Sequence, residues 1–175
     1  MEKVVSVASY VPQIRQIKLF SYLENLELDQ ILKLTELVKY AQDEKVVTQG
    51  EMSPYLFAVL EGEVKVTLSE YDNHEVDICT IKEREVFGEA AVFLPEERTA
   101  NVVCKEEALL LRIHSKDLFS FIRAYPQAGS RILMFVVLSL IQKLRETNQE
   151  LVLERTSEVN FDYVDSMVED FMKEI

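Results

Sequence analysis

A change of hydrophobic period near Lys45 limits the fold more than any other feature. From there to His114 the chain runs through "KVVTQ", "YLFAVLEG", "EVKVTLSE", "EVDICTI", "EVF" and "TANVVCKEEALLLRIH", short stretches rich in Val, Ile, Leu and aromatic residues. They are separated by "QGEMSP", "EG", "YDNH" and "KERE", which carry turn-forming residues. Short runs at this spacing predict an antiparallel barrel or sandwich. The chain has only four glycines, and Gly50, Gly62 and Gly88 all fall at turn positions inside this region. Such positions demand positive φ or close backbone approach.

Both flanks read as helical. "VPQIRQIKLFSYLENL" predicts a helix and turn with Pro12 near its start. "ELDQILKLTELVKY" predicts a second helix, with Leu28, Ile31, Thr35 and Val38 on one face and Asp29 as its cap. After Ile113, Ser115 is placed to cap "KDLFSFIRAY", and Pro126 opens a long helix to about Glu158. "FDYVDSMVEDFMKEI" puts Phe161, Val164, Val168, Phe171 and Ile175 on one stripe, as in a short amphipathic helix. The expected class is α+β: an antiparallel β-barrel of jelly-roll type, flanked by N-terminal helices and a long C-terminal helix. The expected organisation is a barrel with its helices over 1–125, a long helix over 126–158 and a short acidic helix over 159–175.

Composition removes several function classes. The chain has 31 acidic and 19 basic residues, a formal charge of −12. A nucleic-acid-binding face needs clustered Lys and Arg, and none is present, so no nucleic-acid partner is expected. A separate winged-helix module would take ~60 residues on the usual size of small domains, more than follow the long helix. No uninterrupted run of ~18 apolar residues occurs, so no membrane span is expected. The start lacks signal-peptide architecture, so the expected compartment is the cytoplasm. Cys79 and Cys104 match no metal-ligand spacing and read as thiols. His74 and His114 are forty positions apart, without a ligand pattern near either. No nucleophile motif, P-loop or dinucleotide fingerprint is found, so no enzyme activity, metal or cofactor is expected.

The segment "FGEAAVFLPEERTA", Phe87 to Ala100, carries the candidate chemistry. It reads as a tight turn at Gly88 leading into one helical turn, then a loop and Arg98 at the start of the next strand. Gly88 lets the backbone approach a ligand closely. N–H groups at a helix start favour an anion, and a guanidinium can complete a phosphate site with a bidentate contact. Glu89 beside that turn would repel a phosphate unless it served hydroxyls. One anion receptor plus one diol receptor points to a nucleotide or sugar phosphate. Taken alone, a Glu–Arg pair is more commonly a weak surface ion pair.

In "FGEAAVFLPEERTANV" the Gly, Glu, small residues, Arg and Thr-Ala stand in order at fitting spacing, and "QGEMSPYLFAVLEGEVKV" precedes it. These segments resemble the phosphate-binding cassette and the first glycine-bearing strands of the cyclic-nucleotide-binding domain family, which includes bacterial catabolite activator proteins and kinase regulatory subunits. The resemblance runs from about Leu19 to Asn148. It implies that Glu89 takes the ribose 2′-hydroxyl. Arg98 would take the cyclic phosphate, with backbone N–H groups near Ala90 and Thr99, and Gly88 and Ala100 belong to the same ligand-binding set. Val66, Ile78, Cys79 and Phe87 would line the ribose and base. Ala90 departs from the family, which often has a larger aliphatic residue there that packs on a moving helix. By the same resemblance the long helix dimerises the protein and covers the base, with Thr147 and Asn148 where related activators place base contacts. Two such contacts against one from Thr99, which can reach a guanine amino group, lean the ligand toward cyclic AMP over cyclic GMP.

Val137, Ile141, Leu144, Asn148 and Leu151 recur at heptad-like spacing, a pattern that suits a homodimer seam. Glu146, Glu150, Glu154, Glu158 and Asp162 repeat every four residues, as a solvated face or as a docking surface for a basic protein. The resulting expectation is a cyclic-nucleotide receptor module that signals through protein contacts. Its rival is a dimeric adaptor that keeps the fold without the ligand.

Overall fold

The structure is a computed structural model that describes residues 2–4, 6–69, 75–93, 96–145 and 147–149. The chain divides into two compact units, residues 1–135 and 136–175. The first holds two antiparallel sheets. Strands β1 (Glu2–Val4), β2 (Thr35–Tyr40), β4 (Tyr55–Glu61), β7 (Val86–Phe87) and β9 (Ala108–His114) form one, in the order β1-β2-β9-β4-β7. Strands β3 (Lys45–Val47), β5 (Val64–Ser69), β6 (Glu75–Ile81) and β8 (Asn101–Cys104) form the other, in the order β3-β8-β5-β6. Two facing antiparallel sheets with crossovers make a jelly roll. Its interior is packed by Val38, Phe57, Val59, Val64, Phe87 and Leu110, among others.

Short helices lie between β1 and β2: a 3-10 turn at Ala8–Tyr10, then α1 (Val11–Ile14), α2 (Lys18–Ser21) and α3 (Asn25–Leu32). Helix α3 is not capped by Asp29. Glu24 is its N-cap, and Glu24 N–H donates to the Glu27 carboxylate at 2.8 Å in a capping box. The second predicted helix also ends earlier than its apolar spacing suggests. Thr35–Tyr40 is strand β2, paired with β1 on one side and β9 on the other. Leu37 and Val38 are both buried, Val38 in the barrel interior and Leu37 on the opposite face of the strand. A strand covered on both faces loses the alternation that would distinguish it from a helix.

Helix α4 (Glu89–Phe93) follows β7, and α5 (Ser115–Ala124) follows β9. His114, not Ser115, is the N-cap of α5; its Nδ1 accepts from the Lys116 N–H at 3.0 Å. A long helix, α6, runs over Pro126–Gln149. Within the first unit its start is fixed by buried Ala128 and Ile132, and by Arg131, which donates to Glu27 at 3.0 Å. At 24 residues α6 is long and apolar enough to cross a membrane by length and composition alone. The run-based expectation did not anticipate this, because Arg131 and Ser139 interrupt the apolar residues. In the second unit Val137, Leu138, Leu140, Ile141 and Leu144 are exposed. The acidic repeat at Glu146, Glu150, Glu154, Glu158 and Asp162, together with Leu151, His74 and the helix expected over 159–175, lies outside the described residues.

Candidate functional site: a buried arginine against a glycine turn

The site is built where β7 meets α4. Phe87, the last residue of β7, is buried and stacks on Phe57 of β4, with centroids 4.9 Å apart and planes 7° apart. An aromatic pair of this kind contributes about 0.5–1.5 kcal/mol beyond its buried area, and here it anchors the entry to the turn. Gly88 then adopts φ +84°. A Cβ at Gly88 would lie 2.7 Å from Arg98 Nη1 and 2.9 Å from the main-chain oxygen of Tyr55. The residue must be glycine both for its conformation and for the space that the guanidinium takes.

Arg98 is buried, with 8% of its surface exposed. Its Nη2 donates to the Tyr55 carbonyl at 2.6 Å and to Ser53 Oγ at 3.4 Å, and its Nη1 donates to the Gly88 carbonyl at 3.5 Å. Its main chain is tied to the loop before β4: Gly50 N–H donates to the Arg98 carbonyl at 2.8 Å, and Arg98 N–H donates to the Glu51 carbonyl at 3.0 Å. Arg98 Nε is buried and has no hydrogen-bond partner among the described residues. Burial lowers the guanidinium pKa from its usual value, while the nearby Glu89 charge opposes that shift. Glu89 is itself buried, at 4% exposure, as the first residue of α4. A desolvated cation with a donor left over is costly without a ligand and well matched to an anion.

The structure thus brings together Phe87, Gly88, Glu89 and Arg98, as the sequence suggested. It adds Ser53 and the Tyr55 carbonyl, which the sequence reading missed. The "QGEMSP" turn signal locates their loop, but a main-chain acceptor leaves no mark in residue identity. Thr99 is exposed and Ala100 is half-buried. Val66 packs against the barrel interior. Ile78 and Cys79 are exposed on the edge strand β6. The β5–β6 register pairs Val66 with Cys79 and Thr67 with Asp77, so Ile78 is an extra residue. Bulges of this kind re-aim side chains and are frequent beside functional sites.

Ala90 is exposed. Contact between α4 and α5 runs instead through Phe93 and Phe119, edge to face with centroids 5.8 Å apart. Thr147 and Asn148 are exposed in the second unit, and the Thr147 hydroxyl donates to the Lys143 carbonyl at 3.0 Å.

The two cysteines differ sharply. Cys79 is exposed; Cys104 is buried, and burial, with Glu44 adding to it, pushes its thiol pKa up to about 11. Only the thiolate reacts. Maleimide labelling at pH 7.5 is therefore expected at Cys79 and not at Cys104, read by peptide mass spectrometry. Labelling of Cys104 at the Cys79 rate would overturn the protection that its burial implies.

The chain matches the family model described as the cyclic nucleotide-binding domain over residues 37–125. It is 27% identical over 135 residues to the cyclic AMP receptor protein of Thermus thermophilus, covering 77% of this chain and 61% of that one. It is 25% identical over 108 residues to the human cGMP-dependent protein kinase 2, covering 61% of this chain and 14% of the kinase. Among solved structures it is similar to a cyclic nucleotide-binding domain from Methylobacillus flagellatus, with a TM-score of 0.77 at 19% identity over 87% of this chain and 88% of that one. The chain therefore spans less than two thirds of the length of these receptor and kinase relatives.

Proposed function

The chain belongs to the cyclic nucleotide-binding domain family, and from that premise we propose that it is a cyclic-nucleotide receptor module without catalytic activity. The observation that carries this reading is the buried Arg98, whose Nε has no hydrogen-bond partner among the described residues, beside the Gly88 turn and Glu89. Arg98 receives the cyclic phosphate, with Nε and the N–H groups of the turn. Glu89 receives the ribose 2′-hydroxyl, and Val66, Ile78, Cys79 and Phe87 line the sugar and base. Thr147 and Asn148 on the long helix, together with Thr99, decide between bases, and the balance of contacts favours cyclic AMP. The module works in the cytoplasm as a homodimer through α6, and its output is a change in what the acidic C-terminal region binds.

Calorimetry of the purified chain with cyclic AMP and cyclic GMP tests the reading. Saturable heat with either supports it, and tighter binding of cyclic AMP supports the base assignment. No heat with either, at nucleotide concentrations up to the millimolar range, would leave the ligand-independent adaptor as the better account.

Glu89 has its own signature. Glu89→Gln is expected to weaken cyclic AMP by roughly tenfold, the scale of one charge-assisted hydrogen bond. It should leave 2′-deoxy cyclic AMP almost unchanged, because that ligand has no hydroxyl to lose. Equal losses for the two ligands would make Glu89 a structural residue of the turn.

A further inference from the structure

Tyr55 holds two parts of the barrel together. Its main-chain oxygen accepts the shortest hydrogen bond that Arg98 makes, 2.6 Å, against 3.4 and 3.5 Å for the other two. The orientation of the guanidinium plane therefore depends chiefly on where that oxygen sits. Tyr55 is the first residue of β4, and the pairing of β4 with β7 covers only Phe57 with Phe87 and Ala58 with Val86. The edge of β4 toward β7 thus ends before Tyr55, and strand ends are the least constrained part of a ladder.

The ring of Tyr55 supplies a constraint on this residue from the other side. The guanidinium carbon of Arg112 lies 4.6 Å from the ring centroid, and His114 meets the ring edge to face at 5.2 Å. Register explains the cluster: Tyr55 pairs with His114, and Phe57 with Arg112. Arg112 is itself fixed. Its Nε and Nη2 both donate to Glu36 Oε2, at 3.0 and 2.8 Å. Glu36 stands opposite Arg112 in the β2–β9 ladder. A guanidinium held in this way offers a defined cation–π platform for the ring.

We infer that Arg112, acting through Tyr55, is a positioning residue for the Arg98 guanidinium, an inference that rests on Arg98 being the phosphate receptor. Glu36 and Arg112 hold the ring, the ring holds the end of β4, and the Tyr55 carbonyl holds Arg98 in the orientation that leaves Nε open. The phosphate then meets a donor set that is already in place, and less ordering is needed on binding.

The test uses the full chain with 15N-labelled arginine. Side-chain NMR of the ligand-free protein reads rotation of the Arg98 guanidinium, assigned by its loss in Arg98→Lys, and calorimetry reads cyclic AMP affinity. Tyr55→Leu keeps the carbonyl but removes the ring contact; Tyr55→Phe keeps both. Glu36→Leu with Arg112→Met removes the platform without leaving one charge unpaired. Tyr55→Leu and the double variant should speed averaging of the Arg98 Nη signals and weaken cyclic AMP by roughly fivefold or more, about one hydrogen bond. Tyr55→Phe should match the wild type in both readouts. A folded Tyr55→Leu with wild-type Arg98 signals and affinity overturns the inference, as does a Tyr55→Phe as impaired as Tyr55→Leu. If the double variant does not fold, the Leu–Phe comparison at Tyr55 decides. If the wild type binds neither cyclic nucleotide, the receptor reading fails, while the NMR readout still reports whether the Tyr55 ring holds Arg98.

Discussion

Arg98→Ala is expected to weaken cyclic AMP binding by between roughly tenfold and well over a hundredfold, since hydrogen bonds to charged groups contribute about 1.5–3 kcal/mol each. The effect should fall on binding more than on folding. In the ligand-free chain the guanidinium is buried, donates among the described residues to the neutral acceptors Gly88 O, Tyr55 O and Ser53 Oγ, and has its pKa lowered by that burial. Deleting it removes a desolvated cation as well as those bonds, so the two costs offset in part. Arg98→Lys should rescue only a fraction of the affinity. An ammonium is a compact donor without the planar fork, and it cannot reach the Tyr55 carbonyl and a phosphate in the same way. Calorimetry beside thermal unfolding of the ligand-free proteins separates the two roles. Unchanged affinity with a large fall in Tm would make Arg98 a structural group and remove the anion site.

The barrel could be read from the sequence because each strand from Lys45 onward is short, β-branched and bounded by turn residues. All six predicted runs correspond to strands, the last of them to both β8 and β9. Strand β2 was hidden for a physical reason. Leu28, Ile31, Thr35 and Val38 fall at helical spacing, and with Leu37 and Val38 both buried and Glu36 and Lys39 on opposite faces the strand shows no regular polar alternation. The capping box at Glu24 was equally hard to see, because Asp29 is the stronger capping residue by type, although the chain reaches it only inside the helix. In the site, Gly88, Glu89 and Arg98 could be singled out because the roles expected of them depend on side-chain chemistry or on its absence. The partners that hold Arg98 could not. Tyr55 acts through a carbonyl that any residue would offer, and Arg112 acts on it across a strand pairing that no local pattern encodes. Ala90, where the family often has a larger aliphatic residue that packs on a moving helix, is exposed. Phe93, three residues on, makes the contact to Phe119 that the small side chain cannot.

Ile141→Glu combined with Leu144→Glu is expected to turn the proposed homodimer into a monomer. In the described part of the second unit, Val137, Ile141 and Leu144 form an apolar stripe with exposures of 51%, 42% and 61%. Spacings of four and three residues set this stripe along one side of α6, and Asn148 continues it. A soluble monomer gains nothing by leaving such a row in water, whereas two copies of the helix can bury it against each other at about 25 cal/mol per Å2 of apolar surface. A two-fold interface meets every substitution twice. The paired variants would therefore confront four carboxylates across one seam. Burying an uncompensated polar group costs about 2–7 kcal/mol, and each 1.4 kcal/mol is roughly tenfold in the dissociation constant, so the seam should fail outright rather than loosen. Asn148→Leu should act in the opposite direction on stability and relax the choice of register, because a polar residue on such a stripe specifies alignment at a cost in affinity. Sedimentation velocity on detergent-free protein reads the result. A wild-type chain that is monomeric at tens of micromolar would remove the homodimer. A variant pair that still sediments as a dimer would move the interface off this face of α6.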